Sequence, residues 1–134
     1  MRDILFRGKR LNNGEWVYGF YCHVPRGRLD RDEHLIQTVK KSGKMGMLHR
    51  VDPSTVGQYT GLTDKNGEQI FEGDILTVDG EDGFFVLEFQ EDTARFVMFG
   101  DSVVVDFDNF WSYEVEVVGN IHDNPEYLEE GEEE

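Results

Sequence analysis

The sequence of 134 residues holds a single cysteine, three prolines and four histidines. Cys22 on its own excludes an intramolecular disulfide and a multi-cysteine zinc site, and fits a reducing, cytoplasmic setting. No apolar run approaches the roughly 20 residues needed to span a bilayer, so a membrane is not among the expected partners. After Ile4-Leu5-Phe6 the chain turns charged again at Arg7 and Lys9, too soon for a signal-peptide core. There is no G-x-S-x-G, P-loop or dinucleotide fingerprint. Positive charge is scarce in one half only. Residues 61–134 hold 2 Lys and Arg against 22 Asp and Glu, whereas residues 1–60 hold 11 against 6, so a net of +5 and one of −20 lie inside the overall −15. A half that is close to a polyanion does not bind nucleic-acid phosphates directly.

What is present is β material. Hydrophobic residues make up 38% and aromatics 13%, enough for a packed domain, and 15 glycines supply turns. Residues 15–22 alternate, which puts Trp16, Tyr18, Phe20 and Cys22 on one strand face, read here as the inward one. Asn12-Asn13-Gly14 is a hairpin turn that pairs residues 3–11 with 15–23. His34 to Val39 is a further strand, and charged loops flank it at 25–33 and 40–44. Beyond residue 55 strands are expected at 68–71, 75–78, 84–89, 94–99, 102–105 and 113–121, and in the last Tyr113, Val115 and Val117 face inward. Asn124 and Pro125 open one short helical turn through Leu128. The resulting fold class is mainly β with little helix: an N-terminal hairpin lobe with basic loops over 1–52, a small SH3-like β-barrel over 53–128, and an acidic disordered tail over 129–134.

Three stretches carry a family resemblance. They are Met1-Arg2-Asp3-Ile4-Leu5-Phe6-Arg7; the central Val56 to Gly67 with Ile70-Phe71-Glu72-Gly73-Asp74-Ile75; and Glu116 to Glu126, which contains Val118-Gly119-Asn120-Ile121-His122-Asp123-Asn124-Pro125. Together they resemble the YopX family of small bacteriophage and prophage proteins. The resemblance implies a mainly β protein carried by mobile elements, and it transfers no catalytic residues. Tyr127-Leu128 and the following glutamates depart from the Leu-Leu pair with which that family usually ends. In physical terms the central motif specifies architecture: Asp64-Lys65-Asn66-Gly67 makes a turn, and Gly61 and Gly73 occupy positive-φ or close-approach positions. A binding surface built from Gln58, Tyr59 and Thr60 is the competing reading.

Catalytic constellations are not apparent. His23, His34, His49 and His122 show no i, i+4 pair on a helix and no cysteine at zinc-finger spacing, so no metal and no cofactor is expected. The Asp79-Gly80-Glu81-Asp82-Gly83 run lacks the full calcium-loop series and reads as a solvated turn. Cys22 reads as a buried, inert thiol, and His23 points to the opposite face of its strand. Arg7, Lys9 and Arg10, with Arg26, Arg28, Lys40, Lys41 and Lys44, could form a basic patch on which Tyr18 or Tyr21 stacks bases. The favoured alternative pairs these cations with the acidic half of the same or a neighbouring chain, leaving room for a homo-oligomer. The expected function is accordingly a non-enzymatic protein-interaction module acting on a host or phage protein. Nucleic-acid binding through Arg26, Arg28, Lys40 and Lys41, and mimicry of DNA by the acidic half, stand as the alternatives.

Overall fold

The computed structural model describes residues 4–26, 31–100, 103–108 and 113–129. Among the described residues eleven strands run in chain order: β1 (Phe6–Lys9), β2 (Trp16–Val24), β3 (Glu33–Val39), β4 (Met45–Arg50), β5 (Gly57–Thr63), β6 (Gln69–Phe71), β7 (Asp74–Val78), β8 (Phe85–Gln90), β9 (Arg95–Gly100), β10 (Val103–Asp106) and β11 (Val115–Asn120). Helical structure among the described residues is limited to 3-10 turns at Pro53–Thr55 and Pro125–Leu128. The protein is mainly β. Its strands form two antiparallel sheets, ordered β4-β3-β2-β1-β5-β6 and β10-β9-β8-β7-β11. Among the described residues no pairing joins the outer strands of either sheet into a closed barrel.

The chain divides into two compact units, Met1–Tyr59 and Thr60–Glu134, with the division inside β5. In the first unit the Asn12-Asn13-Gly14 turn closes the β1–β2 hairpin. Gly14 lies at φ 74°, its N–H donates to the Arg10 carbonyl, and the register pairs Phe6 with Gly19 and Lys9 with Trp16. β4 was not foreseen from the sequence. Gly46 and the mixed Met-Gly-Met-Leu-His-Arg run give no alternation, and it is pairing to β3 that makes this segment a strand. Ile36 and Val51 supply the fully buried apolar side chains of this unit.

The core of the second unit is Ile70, Leu76, Val78, Leu87, Met98, Phe107 and Val115. Asp64, almost wholly buried, ties the turn at its edge to β11. Its Oδ1 accepts from the backbone N–H groups of Asn66 and Glu68, and its Oδ2 accepts from that of Val117 at 2.8 Å. Thr60 donates its hydroxyl to the Ile70 carbonyl, and buried Asp74 accepts from the Phe71 N–H at 2.7 Å. Gly73 sits at φ 93°, where its N–H reaches the Leu87 carbonyl and its own carbonyl accepts from Ile121. In β11 Val115 is fully buried, but Tyr113 precedes the strand and is 71% exposed rather than inward-facing. Asn124 does not cap the last turn as expected; its Oδ1 accepts from the Asn120 N–H instead.

Candidate functional site

The first unit presents two chemically different sheet faces. Residues directly opposite in an antiparallel pair share a face, and the face alternates along each strand. By register one face carries Tyr18, Phe20 and Cys22 from β2, Gln37 and Leu35 from β3, and Leu48 and Arg50 from β4. The other carries Tyr21 and His23 from β2, Ile36 and His34 from β3, and His49 from β4.

The period-2 pattern of β2 is correct, but the face that turns inward is the opposite of the one expected. Tyr18 is 45% exposed, Phe20 50% and Leu48 53%, and Cys22 is also exposed. A buried, inert Cys22 is therefore corrected to a solvent-facing thiol. The reason lies in the partners across the sheet. Tyr21 is paired with Ile36, which is fully buried, so the Tyr21 face lies against the core of this unit and the Tyr18 face is turned out. The result is a face with exposed Tyr18 and Phe20 on β2 and exposed Leu48 on β4, separated by half-buried Gln37 of β3.

The second face holds a cluster that no sequence spacing reveals. His23 and His34 are direct cross-strand partners, and their rings stack with centroids 4.3 Å apart and planes 7° from parallel. Asp32, just before β3, brings its Oδ2 to 3.4 Å from His23 Nε2. On the diagonal, the Tyr21 hydroxyl lies 2.6 Å from His34 Nδ1, and the Tyr21 ring stands 5.5 Å from that of Phe6. Burial is the main cause that raises the Tyr21 phenol above its ordinary range, with the neighbouring Cys22 thiol adding to it. One potential ligand atom each from His23, Asp32 and His34 falls within 4.8 Å of the others. Asp32 and His34 also line an open groove of about 420 Å³ with Leu11, Arg31, Arg50 and Pro53. The only sequence signal for this arrangement would have been the β2–β3 register itself, which the loop between the strands does not dictate.

The residues singled out from the sequence are dispersed. Lys40 and Lys41 are exposed in the turn between β3 and β4, and Lys44 is exposed at the end of that turn. Arg26 is exposed at φ 65°, and Arg28 lies outside the described residues. Arg7 is buried, its guanidinium 4.6 Å from the Trp16 ring centroid, while the Lys9 ammonium is 5.4 Å from the same ring. Tyr59 and Thr60 are buried and Gln58 is half-buried. Tyr21 is committed to His34, so of the two tyrosines considered for base stacking only Tyr18 offers an exposed ring.

Residues 5–129 match the YopX protein family. The chain belongs to the YopX family. Comparison with curated proteins gives no match. Among solved structures, the YopX chain is similar to protein EF1440 from Enterococcus faecalis, with a TM-score of 0.61 and 23% identity over 96% of this chain and 99% of that one. At that identity the likeness shows a shared fold. The stretches that resembled YopX in sequence are those holding Thr60, Asp64, Gly73 and Asp74, whose hydrogen bonds and backbone angles build the second unit.

Proposed function

We propose that this YopX chain is a non-enzymatic protein-interaction module encoded by a phage or prophage, and that its contact surface is the outward face of the first sheet. The observation that carries this reading is the exposure of Tyr18 and Phe20 on one face of β2, with Leu48 of β4 exposed on the same face across the intervening Gln37 of β3. Aromatic side chains dominate the energetics of protein interfaces, and an apolar strip facing water gains most when a partner covers it. β4 stands at the outer end of its sheet order, and although the Arg50 carbonyl at its end accepts from the Leu11 N–H, Met45 and Met47 are exposed at its start, where main-chain pairing with a partner strand is the proposed mode. Phage or prophage origin is inferred from the family.

The test is affinity capture from a host lysate with the natural chain and with a Tyr18→Ser/Phe20→Ser variant. Both side chains are half-exposed, so the variant should keep its melting temperature within a few degrees. A partner recovered stoichiometrically with the natural chain and lost with the variant supports the reading. Recovery of the same proteins by both would refute it.

One observation favours a second reading. Lys40, Lys41 and Lys44 are all exposed in the turn that closes the β3–β4 end of the sheet bearing Tyr18 and Phe20. An aromatic platform beside cations suits single-stranded nucleic acid. Against it, Arg7 is buried over Trp16 and Arg10 lies 4.0 Å from Glu15, so fewer cations are presented than the sequence offers. DNA mimicry loses support because several carboxylates of the acidic half are already engaged. Asp64 and Asp74 bind backbone amides, Asp79 pairs with Lys65, and Asp106 pairs with Arg95.

A further inference from the structure

We propose that His23, His34 and Asp32 form a binding site for one divalent transition-metal ion, with zinc as the reference ion. Two imidazoles and a carboxylate are an established donor set for zinc and its neighbours, and three protein donors leave a tetrahedral ion one position for water or for a donor from another chain. Hard cations that demand several oxygen ligands are poorly served by this set.

The geometry is close to what such an ion needs. Donors about 2.1 Å from a tetrahedral ion stand roughly 3.4 Å from one another. His23 Nε2 and Asp32 Oδ2 already lie 3.4 Å apart, and all three potential ligand atoms fall within 4.8 Å. Because the two imidazole planes are nearly parallel, their in-plane lone pairs run side by side and must tilt toward a common point. The terminal ring torsion of histidine is broad, and His23 and Asp32 have side chains 43% and 61% exposed, so both have room to turn.

A second feature distinguishes this trio from a surface ion pair beside a stacked ring. A metal-bound imidazole commonly donates its other N–H to an oxygen that fixes its tautomer. The Tyr21 hydroxyl sits 2.6 Å from His34 Nδ1, and in the tautomer that carries its proton on Nδ1 the ring donates to Tyr21 and keeps its Nε2 lone pair for the ion. Tyr21 would thus be a positioning residue and not a ligand. Two of the three donors, Asp32 and His34, line the groove with Leu11, Arg31, Arg50 and Pro53, and His23 has a side chain 43% exposed, so the ion has access to all three.

Calorimetric titration of the metal-stripped full chain with zinc chloride tests the site, alongside NMR detection of the histidine side chains. Saturable binding of one ion per chain is expected, with the His23 and His34 ring signals shifting and those of His49 and His122 unmoved. His23→Ala and Asp32→Asn alter exposed side chains, so both should fold; each should weaken zinc binding by about tenfold or more, and Tyr21→Phe by about tenfold. His49→Ala should leave the affinity unchanged. Absence of saturable binding, an affinity untouched by His23→Ala, or shifts mapped to His49 or His122 would each overturn the proposal.

Discussion

At the scale of single residues, the buried polar groups do the most specific work. Asp64 satisfies three backbone N–H groups belonging to two different segments, and a neutral apolar replacement would leave those donors unpaired in a site where Asp64 is only 5% exposed. Asp64→Ala should therefore lower stability by about 3 kcal/mol, read by urea unfolding. Tyr21 allows a pH prediction. Its phenol, ordinarily 10.0, is raised in the folded chain, chiefly by burial. The folded state therefore holds its proton more tightly than the unfolded one, so the contribution is fully present below pH 10 and is lost as pH rises through the raised value. Lys65, ordinarily 10.5, is raised mainly by its hydrogen bond to Asp79 and acts in the same direction. In a Lys65→Met background that removes this second contribution, Tyr21→Phe should flatten the alkaline fall in melting temperature. An equally steep fall in both chains would remove Tyr21 from that role.

The strands depend on close approaches that the sequence states only as glycine. A Cβ on Gly19, in the middle of β2, would lie 2.0 Å from the Gln37 carbonyl oxygen of β3. Backbone cannot yield as a flexible side chain can, so Gly19→Ala should separate β2 from β3 locally and cost roughly 2 kcal/mol or more. Amide hydrogen exchange would report it, with protection lost at Phe20 to Cys22 and retained in β7 to β9. The element boundaries were largely legible. The Asn-Gly turns, the alternating runs and the positive φ of Gly61 and Gly73 follow from local chemistry, and all are found where the residues place them. Two strands were not legible: β4, whose residues carry no strand pattern of their own and which is paired by β3, and β5, which pairs with β1 ahead of the Asp64 turn.

For the whole molecule, the separation into a +5 and a −20 half persists, and the pairs Lys65–Asp79 and Arg95–Asp106 do not reduce it, because both cations belong to the acidic half and are already counted in its −20. A chain with net charge −15 repels a polyanion at long range, and the cluster Lys40, Lys41 and Lys44 can neutralise about three phosphates. On the interaction-module reading, fluorescence anisotropy should detect no binding of a short single-stranded oligonucleotide at physiological salt. Binding with a log–log salt slope near −2, lost on neutralising Lys40 and Lys41, would move nucleic acid to the front.

The sequence by itself determined that this is a mainly β protein of the YopX family, because strand periodicity, turn chemistry and a long central motif are local properties written residue by residue. It could not decide which side of β2 faces the core. Alternation fixes the period of a strand, but only the sheet and the residues across it decide the face, so Tyr18, Phe20 and Cys22 turned outward when Ile36 took the interior opposite Tyr21. The meeting of His23, His34 and Asp32 is likewise a product of register: residues distant along the chain became neighbours because an antiparallel pairing placed one opposite the other.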